Sequence, residues 1–514
     1  MSKIVNGTVQ TIARGTGITF TGTIISLGLA FITTIILVRY ISQSEYGIYS
    51  LAITVLDITV VLALLGLTGG VARYIGYFKG KNDAEKISQV ASSSIKFVLL
   101  AAIPLGLLLY LTSDLISTNI FHSSELSLPL RILAIGLPFV ALRRVLVSIF
   151  RGLFRVEVAV YFESILYYVL LLLFVLLIVF LRLDFIIVFY AYLASCLLTF
   201  GALLFYTLKK FPVPIRIKGS NPMGKELLFF SLPLLAAGMV NIIFNYTDIL
   251  VLGNLMKLSD VGVYNAAVPL APLVGMPITA TLMIYMPVIS SLYSRNLMDE
   301  MRRTYIVLAK WISFITVPLF LVIVLYPETM LSLVFGSRYA LAGTALIILS
   351  LGQLIYSVIG PNGATLTALG KTKFVMWSYI FGAGLNIPLN FLLIPRLGIV
   401  GAAIATVISM TLMLLMRGIR IYFPYKIQPI SKNLLKPMIA STILIVAIHF
   451  IASNFLQVTL WMLPIILVLF YVLYGLAVLL TRSLDHEDIE LLLEIEKRTG
   501  INLSRIKKVL ARFL

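Results

Sequence analysis

The chain has 514 residues, of which 60% are hydrophobic and only 12% charged, and its 40 lysines and arginines against 21 acidic residues give a formal net charge of +19. That much apolar sequence exceeds what a soluble core needs and places the chain among integral membrane proteins. The single cysteine, Cys196, excludes an internal disulfide and reads as a small packing residue, and the basic excess follows topology in a way that excludes nucleic-acid binding.

Apolar runs near the about 20 residues that a helix needs to cross a hydrocarbon layer recur along the chain. In order they predict spans at 18–38, 47–70, 92–111, 128–149, 159–181, 185–207, 227–252, 262–291, 306–325, 340–360, 374–394, 398–421, 434–452 and 459–480. The expected fold is therefore an all-α integral membrane protein with about 14 transmembrane helices. Lys3 and Arg14 precede the first span, and no short apolar core ends at a small-residue cleavage site, so no removable signal peptide is predicted. When the connections are sorted into alternating sides, one side holds 33 of the 40 basic residues. The other holds Arg39, Arg182, Lys257, Arg338 and Arg396, while Lys96 and Arg131 lie near span ends. The positive-inside rule then puts both termini in the cytoplasm of a multi-pass protein of the cytoplasmic membrane, with anionic lipids as natural neighbours.

The phrase Ser44-Glu45-Tyr46-Gly47-Ile48-Tyr49 returns 215 residues later as Ser259-Asp260-Val261-Gly262-Val263-Tyr264. Gly152-Leu153-Phe154-Arg155 is matched by Gly370-Lys371-Thr372-Lys373, and Arg182-Leu183 by Arg396-Leu397. Six spans separate the copies, an even number, so the copies are parallel and a pseudo-two-fold axis along the membrane normal is expected. The organisation expected is an N-lobe at 1–210, a cytoplasmic linker at 211–226, a C-lobe at 227–425, two extra spans at 426–482 and a cytoplasmic tail at 483–514. In the tail, Ile506, Val509, Leu510 and Phe513 share a helical face and Arg505, Lys507, Lys508 and Arg512 occupy the remainder. Such a helix suits an anionic membrane surface or a partner.

Polar residues at helical spacing mark several spans: Ser50, Thr54 and Asp57 in span 2, Asn241, Asn245 and Asp248 in span 7, and Ser378, Gly382, Asn386 and Asn390 in span 11. Each set stacks on one helix face, where it either lines a cavity or bonds across packed helices. Thr19, Thr23, Ser26 and Thr33 of span 1 suit either role. A central Asp costs roughly 2.5 to 3.5 kcal/mol, so Asp57 should face water or a partner, and it is the site to test for proton or sodium coupling. Asp248 lies nearer a span end, where a turn or a repeat contact explains it equally well. Lys96 and Arg131 suit a phosphate or snorkelling to an interface. Arg143, Arg144, Arg151 and Arg155 form a denser cluster whose donors suit a pyrophosphate headgroup, although ordinary topology explains such a cluster as well. Prolines enter many spans, and Pro269, Pro272 and Pro277 concentrate in span 8, which makes it the expected hinge.

Glu45-Tyr46-Gly47-Ile48-Tyr49, Asp248-Ile249-Leu250-Val251-Leu252-Gly253 with Asp260-Val261-Gly262-Val263-Tyr264, Leu369-Gly370-Lys371-Thr372-Lys373, and Pro395-Arg396-Leu397-Gly398-Ile399-Val400-Gly401-Ala402-Ala403 together resemble the polysaccharide transporter, or O-antigen flippase-like, family. That family belongs to the multidrug/oligosaccharidyl-lipid/polysaccharide flippase superfamily. The resemblance runs through span 12 and implies two six-helix lobes arranged as a V, with two further helices. It also implies alternating access that moves a polyprenyl- or dolichyl-(pyro)phosphate-linked oligosaccharide across the membrane, with polysaccharide assembly proteins as partners. Two alternatives stay within transport. A multidrug antiporter of the same superfamily typically has twelve spans and an acidic residue in span 1, where residues 18–38 have no Asp or Glu. A lipid-linked peptidoglycan precursor flippase would also have fourteen spans, but the sequence offers no dense set of arginines within the spans.

Enzymatic chemistry is not expected. His122, His449 and His486 are scattered, neither HExxH nor GxxxxGK[ST] occurs, and the connections leave no room for a nucleotide-binding domain. The sequence predicts a transporter without cofactor or metal.

Overall fold

Residues 3–211, 222–428 and 462–480, with scattered positions between 439 and 450, are described by a computed structural model. Every regular element among them is helical. The chain divides into two compact units, Met1–Gly262 and Val263–Leu514. Ten described helices are long and apolar enough to cross a membrane, or eleven if a bent pair is counted as one span.

The first unit comprises α1 (Lys3–Tyr40), α2 (Gln43–Leu64), α3 (Leu67–Gly80), α4 (Ala84–Leu115), α5 (Ser127–Gly152), α6 (Val156–Ala159), α7 (Tyr167–Leu181), α8 (Ile187–Lys210) and α9 (Pro222–Leu255). A π-helical stretch, Val160–Leu166, joins α6 to α7. The centre of the unit is α5, which packs on α2, α3, α4 and α8 and buries Leu130, Leu133, Leu137, Ala141, Val145 and Ile149. Pro138 lies inside it and cannot donate to the carbonyl of Ala134. Gly106 of α4 packs beside that carbonyl: a Cβ there would stand a tight 3.0 Å from the Ala134 oxygen.

Helix starts explain the repeated phrase. Ser42 caps α2, its oxygen accepting from the Glu45 amide at 3.2 Å while Glu45 accepts from the Ser42 amide at 2.7 Å, which satisfies two orphan donors at once. In the second copy Asp260 does the same service, accepting from the Lys257 amide at 3.3 Å at the start of α10 (Leu258–Ala267). The glycines of the phrase meet each other. A Cβ on Gly47 would lie 1.9 Å from the Leu258 carbonyl oxygen, and one on Gly262 would lie 2.0 Å from that of Gln43. The predicted span at 47–70 ends earlier than expected, at Leu64, because Leu65 and Gly66 both turn left-handed and α3 starts anew.

The boundary of the second unit falls within α10, and α10 and α11 (Pro272–Ser294) are bent by 49° at the break between Ala267 and Pro272. There follow α12 (Met298–Leu325), α13 (Pro327–Phe335), α14 (Gly343–Ile359), α15 (Asn362–Ala368) and α16 (Thr372–Tyr425). At about 1.5 Å per residue, α16 far exceeds a hydrocarbon layer of about 30 Å. It is two helices that meet at Gly398, where φ is 58° and ψ is −135°, at the boundary expected between spans 11 and 12. Tyr285, Tyr305, Leu366 and Ile421 anchor the core of this unit. The buried hydroxyls there are satisfied, Tyr305 donating to the Ile359 carbonyl at 2.6 Å and Tyr285 pairing with Thr365 at 2.8 Å. Near the end of the chain, α17 (Met462–Leu480) packs Phe470 and Tyr474 against Phe314 and Val322.

The first twelve expected spans thus fall on described helices, and the fourteenth on α17. Span 13 is described only at scattered positions. Residues 212–221 of the expected linker and the whole tail at 483–514 lie outside the described residues.

Candidate functional site

A cavity of about 600 Å³ opens inside the first unit, lined from α1, α2, α3, α5, α7, α8 and the π-helical stretch. Its chemistry comes chiefly from α5. Arg144 and Arg151 are seven residues apart and share a face of that helix, and Arg143 stands beside them. From α2 the cavity receives Tyr49, Ile53, Asp57 and Val61, a stripe with a period of four.

Asp57 joins three helices. Its Oδ1 accepts from Arg144 Nη2 at 2.9 Å and its Oδ2 accepts from the hydroxyl of Tyr246, on α9, at 3.2 Å. Arg151 Nη2 donates to Glu163 Oε2 at 2.5 Å. Glu163 lies in the π-helical stretch, whose widened turn shifts the register of every later side chain. Arg143 has no such carboxylate. Its guanidinium lies 4.4 Å from the centre of the Tyr167 ring, the residue is 6% exposed, and its Nε and Nη1 find no acceptor among the described residues. Cation–π attraction offsets part of the desolvation cost, but a buried charged donor left unbonded costs about 1–3 kcal/mol or more. Three arginines against two carboxylates leave the lining with one positive charge in excess.

The structure brings Asp57, Arg143, Arg144 and Arg151 together with Thr33 of the span 1 stripe, and places the remaining headgroup and stripe candidates off this cavity. Thr54 is buried off the cavity and Ser50 bonds the Tyr46 carbonyl at 2.7 Å, because the cavity face of α2 is one residue away from the Ser/Thr stripe. Asn245 donates to the Asn241 carbonyl at 2.7 Å along α9, and neither residue lines the cavity. Asp248 is buried and accepts from the Ile249 amide at 3.0 Å. In the second unit Asn390 donates to the Asn386 carbonyl at 2.9 Å and Asn386 to Thr406 at 3.3 Å, both asparagines being fully buried. Lys96 is exposed on α4, and Arg131 pairs with Asp114 and bonds Ser113. Arg155 lies 3.7 Å from Glu157 and donates to the Lys210 carbonyl at 3.4 Å. Pro269 and Pro272 flank the 49° break, and Pro277 follows within α11.

Sequence reading missed Glu163, Tyr246 and the tyrosines Tyr167, Tyr168 and Tyr192. It grouped Arg143 and Arg144 with Arg151 and Arg155 in one cluster beside span 4, and the structure sets the first two well inside α5, a helix long and apolar enough to cross a membrane.

Comparison with known proteins agrees with this architecture. The family model described as Polysaccharide biosynthesis protein matches residues 12–293, more than half of the chain. The chain belongs to this family. A second model, MatE, matches residues 233–392 of this family member. The "Probable low-salt glycan biosynthesis flippase Agl15" of Haloferax volcanii is 24% identical over 77% of this chain and 81% of its own length. Among solved structures, the lipid II flippase MurJ in an inward closed conformation superposes with a TM-score of 0.70 at 17% identity, covering 90% of this chain and 98% of that one. An inward-facing multidrug resistance MATE family transporter gives 0.65 at 18% identity over 77% and 93%. These likenesses establish the fold, and the chain is a multi-pass membrane protein of the polysaccharide biosynthesis family.

Proposed function

We propose that this protein flips a lipid-linked glycan across the cytoplasmic membrane, drawing the anionic phosphate linker into the cavity of the first unit without making or breaking a covalent bond. The observation that carries this reading is Arg143, a buried residue in the lining of a space of about 600 Å³ whose Nε and Nη1 have no acceptor among the described residues. A phosphoryl oxygen supplies the acceptor those groups lack, in the planar geometry that guanidinium favours. The glycan biosynthesis flippase and the lipid II flippase that the chain resembles support the same class of cargo. A cationic drug would instead meet a net positive lining.

The substrate on this reading is a polyprenyl or dolichyl (pyro)phosphate oligosaccharide whose tail stays in hydrocarbon. Both termini face the cytoplasm, Asp57 couples an ion gradient to transport, and the break at Pro269, Pro272 and Pro277 bends during alternating access. Polysaccharide assembly proteins supply the substrate and receive the product. The test is reconstitution in liposomes with a fluorescent polyprenyl-diphospho-oligosaccharide and, in parallel, a cationic dye. Movement of the lipid-linked sugar alone is expected; movement of the dye alone would overturn the reading in favour of a drug antiporter.

A further inference from the structure

The cavity of the first unit carries more than its charges. Tyr49 reaches it from α2, Tyr167 and Tyr168 from α7, and Tyr192 from α8. Tyrosine hydroxyls usually find a partner when buried, as that of Tyr246 does at Asp57. The Tyr192 hydroxyl is directed to the Cys196 thiol. Those of Tyr49, Tyr167 and Tyr168 have no hydrogen-bond partner among the described residues, and none of the three oxygens is sealed from solvent. Neighbouring hydroxyls are not comparable, because Thr33 and Thr34 bond the Leu29 and Ala30 carbonyls of their own helix at 2.7 and 2.9 Å. One wall of the cavity therefore offers three neutral groups that can each donate and accept, mounted on apolar rings.

A phosphate linker draws on guanidinium first and leaves such a wall unused. A sugar matches it, since its hydroxyls also both donate and accept and its C–H faces pack on aromatic rings. Along α2, Tyr49 stands eight residues, about 12 Å, from Asp57 and its Arg144 partner, so the wall continues beyond the charged part of the lining. Pockets of about 300–1,000 Å³ enclose a drug-sized ligand. The space of about 600 Å³ thus suits a phosphate linker with the sugar attached to it and not a whole oligosaccharide. Resting on the reading of this cavity as the lipid-linked glycan site, we infer that Tyr49, Tyr167 and Tyr168 hydrogen-bond the sugar next to the linker, which makes that sugar a determinant of what the cavity accepts. Phosphate and sugar positions adjoin at Tyr167, whose ring lies 4.4 Å from the Arg143 guanidinium.

The experiment measures binding to the full-length protein in nanodiscs of farnesyl-diphospho-glucose, farnesyl-diphospho-N-acetylglucosamine and farnesyl methyl diphosphate, the last carrying the same charge without a sugar. The tighter of the two sugar-bearing ligands should bind at least about tenfold more tightly than the methyl ester. The double variant Tyr49→Phe/Tyr168→Phe keeps both rings and removes both hydroxyls. In it the affinity for the sugar-bearing ligand should fall about tenfold, with the methyl ester within about twofold of its wild-type value. Equal affinity for all three ligands in the wild-type protein would overturn the inference, as would a variant that weakens all of them alike or keeps the full preference for sugar. Failure of every ligand to bind would instead sink the functional reading on which it stands. The contrast between ligands in the wild-type protein needs no variant to fold.

Discussion

Arg143 in the first unit and Arg417 in the second are both buried, and both stack on tyrosine, at 4.4 Å from the Tyr167 ring centre and 4.2 Å from that of Tyr379. Both also carry an N–H group without a bonded acceptor among the described residues. Their surroundings separate them. Arg417 is tied by its Nε to Ser378 Oγ at 2.6 Å, with Gly363 so close that a Cβ there would reach Nη1 at 3.3 Å. Arg143 borders open space flanked by two ion pairs. Stacking alone therefore does not mark a ligand site; an unbonded cation facing volume does.

Arg143→Ala should give the largest effect, a fall in flipping on the order of a hundredfold, since a desolvated charge–phosphate contact is worth about 2–5 kcal/mol. Flipping by liposome assay beside thermal unfolding checks it, and a wild-type rate would erase the distinction. Asp57→Asn frees Arg144 without removing it, so a smaller loss, about tenfold, is expected, with transport losing its response to a pH gradient. Asn390→Ala should lower stability by about 1 kcal/mol, the usual net worth of a buried hydrogen bond, here the one it donates to the Asn386 carbonyl one turn back, and leave transport unchanged. Arg417→Met should change flipping by less than about twofold, because exchanging a packed buried ion for an apolar side chain of similar volume is often neutral. A loss as large as that of Arg143→Ala would make Arg417 a second ligand site.

Hydrophobic length made the spans legible, and the repeat, the break near Gly398 and the proline cluster could all be placed from residue types alone. Asp57 was legible from its cost inside a span. Its companions were not, for three physical reasons. Ser and Thr bond their own helix carbonyls, as Ser50 does, so a hydroxyl stripe need not face a cavity. Basic residues near a span end obey the positive-inside rule whether or not they bind anything, which left the cluster of Arg143 and Arg144 with two readings, a headgroup site or ordinary topology. Glu163 and Tyr167 share a helical face four residues apart, but the same spacing continues to Ala159 and Leu171, so no polar stripe marked that wall.

The glycine contact between the repeat copies has the form of a handshake. Gly47 meets Leu258 while Gly262 meets Gln43, and the same 215-residue step relates Gln43 to Leu258 and Gly47 to Gly262. A half-length chain paired with its own duplicate would make this contact twice from one glycine, as any isologous dimer does. In the fused chain the two positions can vary separately, yet each still presses on the other copy's helix start, so a methyl group added at either disturbs both.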